Sequence, residues 1–413
     1  MPSYDVVVVG AGIVGCACAF ELASRGVSVC LVDRGPVSGG TTGLGEGNVL
    51  CCDKPLGPEL ALAVRGLALY SEIEELLGEE AGVRRKGALV VHGDPDGWAA
   101  EPGRLAGLRE AGVSCSLLSA DEVRTVEPAL SGALLGASVF PDDLQCAPRA
   151  IARGLAREAA ALGAVVRTGV EVLSIVLNGG KEGAPEPPGV EGVSTREGPL
   201  LAAHVVLAAG AWSAPLAAGA GLALPLEPRK GQLVRLEHRP DFLRHKVIDG
   251  SYMAAVESED AGLQVSTVME TTLDGQVLVG SSRERRGFDT SVDSTVTGTL
   301  IAHAAQLAPG IAELQIDTAW VGLRPWLPGG LPAIGPTQAA DGLFVATGHE
   351  GAGVAHGPIT GRLIAQLICG EQPEVDVKAF DPDRFSPGSP TPSCSRGTRT
   401  APRGRAPGPR RLP

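Results

Sequence analysis

Six residues near the N-terminus, Gly10-Ala11-Gly12-Ile13-Val14-Gly15, follow the β-branched run Val6 to Val9 and have the spacing of a phosphate cradle. Gly10 permits a tight turn out of a strand, Gly12 lets the backbone approach a pyrophosphate, and Gly15 lets the next helix pack closely on the sheet. The unpaired N–H groups and the dipole at that helix's start favour an anion. A second extended stretch, Ser28 to Val32, ends at Asp33, which lies 18 residues beyond Gly15 and is followed by Arg34. A carboxylate there accepts hydrogen bonds from ribose hydroxyls. Strand, turn, helix, strand and terminal acid in register distinguish a dinucleotide-binding unit from an ordinary glycine-rich turn.

The elements that would complete such a site are spread along the chain. A small-residue segment from Gly39 to Asn48, too rich in glycine for a helix, reads as a second loop around the ligand, with Thr41, Thr42, Glu46, Gly47 and Asn48 as contacts. Ala147 to Leu162 is helical in pattern and feeds a strand, Val165 to Val172, that carries Val170. The apolar strand from His204 ends in a turn at Gly210, and Gly342 to Thr347 ends in the turn Gly348-His349-Glu350-Gly351-Ala352-Gly353-Val354, followed by a helix from Pro358 to Cys369. An NAD domain is usually contiguous and would leave this last unit unexplained. An extended FAD, which needs contacts at adenine, pyrophosphate, ribityl chain and ring, accounts for all of them.

Between these elements the pattern changes. Alternating strands (232–236, 264–268, 276–280) and a helix from Thr295 to Leu307 indicate an antiparallel sheet with helical cover. The fold class expected is α/β plus α+β: a discontinuous Rossmann-like FAD-binding domain (1–80, 140–225 and 320–385) and a second, antiparallel-sheet substrate domain (81–139 and 226–319). Residues 178–199, rich in Gly, Pro and Glu, read as an exposed hairpin tip with little core value. The last stretch, 386–413, holds seven prolines, four glycines, six arginines and no acids, and reads as a disordered basic tail.

With 413 residues the chain can build two sizeable cores. The net charge is −12 for the whole and −18 before the tail, which excludes a nucleic-acid partner, since no basic surface displaces counterions from phosphates. Nine scattered cysteines form no CxxC pair and no metal-ligand cluster, so neither a metal nor an iron–sulfur centre is expected, and the thiols read as reduced in a cytoplasmic protein. No apolar run approaches the roughly 18 residues of a membrane span.

Several segments in order resemble the FAD-dependent D-amino acid oxidase (DAO) superfamily, in its glycine oxidase and sarcosine oxidase branch. They are Gly10 to Gly15, Thr41-Thr42, Ala209-Gly210-Ala211-Trp212, Gly322-Leu323-Arg324-Pro325-Trp326 with Pro332 to Gly335, and Gly348 to Gly353. The stretch Thr42 to Leu50, with Asp53-Lys54 and Gly57 to Leu62, is similar to a narrower group that contains the β subunits of D-hydroxyproline dehydrogenase and opine oxidases. The resemblance implies oxidation of the C–N bond of an amino acid or secondary amino acid by hydride transfer to flavin, with Arg324 gripping the substrate carboxylate and no protein nucleophile. A guanidinium suits that role because its planar fork binds a carboxylate bidentately. The alternative is an arginine paired with a nearby protein carboxylate.

Other residues are read with two roles each. His349 is a base or a structural donor to backbone, and His356 a helix-start residue. Tyr252 and Met269 line the pocket or belong to the ordinary core. Glu270 is a solvated strand carboxylate, or a partner for a substrate amine. Some sarcosine oxidase relatives tether flavin through a cysteine near the arginine motif, but residues 311–350 contain none, so FAD is expected to be non-covalent. Oxygen, or a quinone or partner subunit in an oligomer or hetero-oligomer, would accept the electrons. A flavin enzyme for a hydroxy acid or a glycerol phosphate and a non-catalytic FAD-bearing subunit are the competing readings; a phosphate site would want more than one cation near the pocket, and around Arg324 there is no other nearby in sequence.

Overall fold

The computed structural model describes residues 3–179 and 187–386. The expected tail from residue 387 on, and part of the expected hairpin tip, lie outside the described residues.

Five parallel strands form the centre of the first sheet, in the order Leu343–Thr347, Leu200–Leu207, Ser3–Val9, Val29–Asp33 and Val165–Thr168, with Ala333–Pro336 antiparallel at one end. The N-terminal valines show why the run reads as unbroken apolar sequence: both faces of a parallel sheet are covered. Val6 and Val8 pack under the helices Ile13–Ala23 and Gly353–Ile368, while Val7 and Val9 face a separate cluster with Leu222 and Leu343. Strands Val172–Leu177 and Val190–Thr195 extend this sheet as an antiparallel meander. Val193 is fully buried there, so the expectation that 178–199 had little core value fails at its C-terminal half.

The second sheet has eight strands in the order Ile316–Trp326, Glu227–His238, Gln276–Arg283, Gln264–Thr271, Lys246–Asp249, Ala88–His92, Gly136–Phe140 and Ser116–Ser119. All neighbours are antiparallel except Lys246–Asp249 with Ala88–His92. Its side chains alternate as a pleated strand requires. Val234, Val247 and Met269 pack in a core that includes Val296 and Leu300 of the helix Ser294–Leu307, and their neighbours Leu233, Ile248 and Val268 face the first sheet across a cavity. The strand that carries Arg324 pairs with Glu227–His238 from Ile316 to Trp326, so the domain boundary expected at residue 320 falls inside a strand of this sheet. The architecture is the expected one: a Rossmann-like parallel sheet and a separate antiparallel sheet, each built from distant segments.

Two local departures are seen. Thr41–Leu44 forms one helical turn where glycines argued for a loop. The C-terminal helix begins at Gly353 and runs through Pro358. Proline there frees the carbonyl of Val354, which accepts a hydrogen bond of 2.7 Å from the Tyr70 hydroxyl instead. Among the described residues no helix is long and apolar enough to cross a membrane.

Candidate functional site

A cavity of about 720 Å³ runs between the two sheets, from Asp33 and Arg34 at one end to Arg324 and Tyr252 at the other. At the first end the backbone is arranged around the turn after the N-terminal strand. Gly10 has φ +108°, and a Cβ on Gly15 would stand 1.8 Å from the Gly10 carbonyl oxygen, so the turn and the helix start require glycine at both places. Gly15 itself does not line the cavity. Gly10, Gly12, Ile13 and Val14 do.

Asp33 holds this turn in shape: its two carboxylate oxygens accept the backbone N–H groups of Ala11 and Gly35, each at 2.7 Å. The Thr42 hydroxyl accepts the Ile13 N–H at 3.0 Å, which supplies a cap to a helix whose N-cap is the side-chain-free Gly12. The same short helical turn is tied to the far sheet, because the Thr41 hydroxyl donates to Leu323 O at 2.6 Å and Trp320 Nε1 donates to Leu44 O at 2.8 Å. Three hydrogen bonds through residues 41–44 thus link the phosphate-type turn to the strand of Arg324. Val170 and Gly210 also border the cavity, and Arg34 lies over the Trp212 ring, 4.6 Å from its centroid.

In the middle of the cavity stand Glu46 and Asn48, while Gly47 packs away from it, its missing Cβ leaving room for the Cys146 carbonyl. The side-chain oxygen of Asn48 is buried without a hydrogen-bond partner, an acceptor that a polar ligand would satisfy. Gly351, Ala352, Gly353 and Val354 line the opposite wall at the start of the helix Gly353–Ile368, whose N-cap has no side-chain hydrogen bond. Two helix N-termini and an uncapped row of N–H groups therefore face one elongated space. This donor set fits a dinucleotide such as FAD, with two helix starts for anionic atoms and an unfilled acceptor for a ring N–H.

The second end is rich in charge. Arg324 makes one hydrogen bond, from Nη1 to Ser282 O at 3.0 Å, and its Nε lies 3.9 Å from the carboxylate of Glu350 without bonding to it. The cations that were not adjacent in sequence are adjacent in space: Arg229 and Arg283, each on another strand, also approach Glu350, at 3.6 and 3.7 Å. Burial pushes the Glu350 carboxyl up, but Arg324, Arg283 and Arg229 outweigh it and hold it below the usual carboxylate range. Tyr252 lines the cavity with the Arg283 guanidinium 4.4 Å from its ring centroid. Lys54, paired with Asp53, and Lys246, paired with Glu46, border the same end.

His349 also lines this end, and its Nε2 lies 2.9 Å from the Thr360 hydroxyl, rather than against backbone. Burial pushes its pKa down to about 3, so the ring is neutral. His356 sits fully buried in the first turn of the same helix. Met269 does not reach the cavity, because it points from its strand into the core opposite, and Val268 takes the cavity side. Glu270 is neither solvated nor in the cavity. Its carboxylate is buried between Lys86 at 3.3 Å and Lys246 at 3.6 Å, and burial is outweighed by these two ammonium groups, which keep it ionised. Glu350, Lys54 and Lys246 were not singled out from the sequence. The signals were the place of Glu350 in the Gly348–Val354 turn and the Asp53-Lys54 pair in the narrower resemblance.

Comparison with known proteins adds the family. The model of the DAO family, FAD dependent oxidoreductase, matches residues 5–367, and the chain belongs to this family. It is 30% identical to a glycine oxidase of Geobacillus kaustophilus over 387 residues, 91% of this chain and 96% of that protein. The crystal structure of glycine oxidase from Geobacillus kaustophilus matches with a TM-score of 0.80 at 28% identity, over 92% of this chain and 98% of the other. That of iminodiacetate oxidase from Chelativorans sp. BNC1 matches with a TM-score of 0.76 at 27% identity, over 91% and 98%.

Proposed function

We propose that this member of the FAD-dependent oxidoreductase family oxidises the C–N bond of a small amino acid or secondary amino acid, with FAD held non-covalently along the cavity and Arg324 taking the substrate carboxylate. The observation that carries the reading is the Arg324 guanidinium on the cavity wall, with a single protein hydrogen bond and the Glu350 carboxylate 3.9 Å away, beyond hydrogen-bond distance. The similar glycine and iminodiacetate oxidases support it, since both names describe carboxylated amines.

Bound FAD supplies a two-electron acceptor for the hydride of the substrate carbon, and water hydrolyses the resulting imine. The chain's own part is orientation. Gly10 to Val14, Asp33, Arg34, Thr41, Thr42, Val170 and Gly210 would hold the nucleotide half, and Glu46, Asn48 and Gly351 to Val354 the other half. The start of the helix Gly353–Ile368 places N–H groups and a positive dipole end where negative charge can be stabilised. Neutral His349 gives the wall a hydrogen-bonded ring and takes no proton near neutrality. Tyr252 and Arg324 would fix the substrate so that one C–H bond is presented.

The closer kinship to D-hydroxyproline dehydrogenase β subunits and opine oxidases belongs to this proposal as its finer form, with a cyclic or two-carboxylate secondary amine as substrate. Oxygen, or a quinone or partner polypeptide, would take the electrons. The purified protein is expected to be yellow, to release its flavin on acid denaturation, and to bleach anaerobically with one of a panel of D-, L-, N-methyl and cyclic amino acids. A flavin that bleaches with hydroxy acids alone, or with nothing, would overturn the reading.

A further inference from the structure

Neither the FAD contacts nor the carboxylate site proposed above uses Glu350, yet its setting is unusual. Its backbone has φ +45°, a left-handed conformation uncommon outside glycine, on the turn that borders the cavity. One carboxylate oxygen accepts the Gly351 N–H. The other, Oε1, is buried and has no hydrogen-bond partner, although three guanidinium groups stand within 3.9 Å of it.

Two of those three are engaged elsewhere. Arg229 donates to the carbonyls of Ala255, Val256 and Ser258 at the end of the helix Tyr252–Glu257, and Arg283 donates to the hydroxyls of Ser266 and Ser281. Their charge keeps Glu350 ionised, and their bonds go to the scaffold. Arg324 and Glu350 alone open together onto the cavity. A cation with unused donors beside an anion with an unused acceptor is the complement of a molecule that carries a carboxylate and an amine a few ångströms apart.

We propose that Glu350 recognises the substrate nitrogen: its Oε1 accepts an N–H hydrogen bond from the amine while Arg324 holds the carboxylate, so that carboxylated amines are selected over carboxylates without nitrogen. This rests on the function proposed above. The amine binds after losing one proton to solvent. In the reaction the Cα–H bond breaks and its electron pair leaves as hydride to the oxidised FAD, while the nitrogen lone pair forms the C=N bond. Nitrogen thereby becomes positively charged beside the carboxylate, so the interaction strengthens as the bond breaks. Because the arginines hold Glu350 ionised, it stabilises this charge without taking the proton.

The test compares flavin-loaded wild-type protein with Glu350→Gln, and with Glu350→Asp, which keeps the charge one methylene further back. Glycine, proline and iminodiacetate are the amine probes, with acetate and cyclopentanecarboxylate as nitrogen-free probes. Steady-state kcat and KM are measured for the amines, and Kd for the carboxylates from perturbation of the flavin absorbance. Glu350→Gln is expected to lower kcat/KM for the reactive amine by tenfold or more, and to leave carboxylate binding unchanged or tighter, because a negative charge is removed. Glu350→Asp should recover part of the loss. A variant that weakens both ligand classes by the same factor would make Glu350 a prop for Arg324, and one that changes neither would remove it from recognition; either result overturns the proposal. A wild-type flavin reduced by none of the amines would instead refute the underlying function, and shows before any variant is made.

Discussion

Gly231→Ala tests the place of the Arg324 guanidinium without touching the arginine. The two residues lie on paired strands, and a Cβ built on Gly231 would fall 1.9 Å from Arg324 Nη1 and 2.5 Å from its Cζ. Ordinary contact begins near 3.4 Å, so the guanidinium must move by about 1.5 Å. It gives up the bond to Ser282 O and its alignment with any carboxylate in the cavity. The moving atoms are the tip of a flexible side chain and Gly231 does not have a positive φ, so the fold should accept alanine. A hydrogen bond to a charged group contributes about 1.5–3 kcal/mol, and 1.4 kcal/mol is a factor of ten. The carboxylate Kd and the substrate KM should therefore rise roughly 10- to 150-fold, while the melting temperature moves by only a few degrees. Titration of the flavin absorbance with acetate gives Kd, initial rates give KM, and Arg324→Ala marks the loss with no guanidinium at all. A variant with normal melting that binds carboxylate as tightly as wild type would refute the assignment of Arg324.

Two further outcomes follow from the same geometry. Gly12→Val adds bulk to a wall where a Cβ meets only the Thr42 hydroxyl, at 3.2 Å, so the chain should fold and yet lose FAD; a purified variant with full flavin occupancy would contradict the phosphate-cradle reading. Asp143 is buried, and burial, with the neighbouring Asp53 charge, raises its pKa to about 6 against the pull of the Cys51 and Cys52 N–H groups. The folded state therefore binds this proton more tightly than the unfolded chain, and the stability it contributes is present at low pH and falls as pH rises from about 4 to above 6. A shift of about two units corresponds to about 3 kcal/mol. In urea unfolding, the stability difference between wild type and Asp143→Asn should move against wild type by up to that amount between pH 4 and 7, and a flat difference would show that Asp143 does not titrate in this window.

What could be read in advance was what local register carries. Gly10, Gly12 and Asp33 lie within one βαβ unit, so their spacing alone places them around one turn. Met269 and Val268 show the limit: both are apolar, they are adjacent on one strand, and only the partner on each face decides which of them meets a ligand. Glu270 shows it for charge. A strand carboxylate reads as solvated, but Lys86, in the connection before Ala88–His92, and Lys246, on the strand Lys246–Asp249, reach it and compensate its burial. Glu350 depends on three arginines that are 26 to 121 residues away in sequence and arrive on three different strands. Its anionic state is therefore a property of the antiparallel sheet and not of the glycine turn that bears it. The nucleotide end of such a cavity is written in short motifs because the backbone makes its contacts. The substrate end is made by side chains from separate strands, so its charge balance becomes visible only when those strands are paired, and the difference between one carboxylated amine and another is decided there.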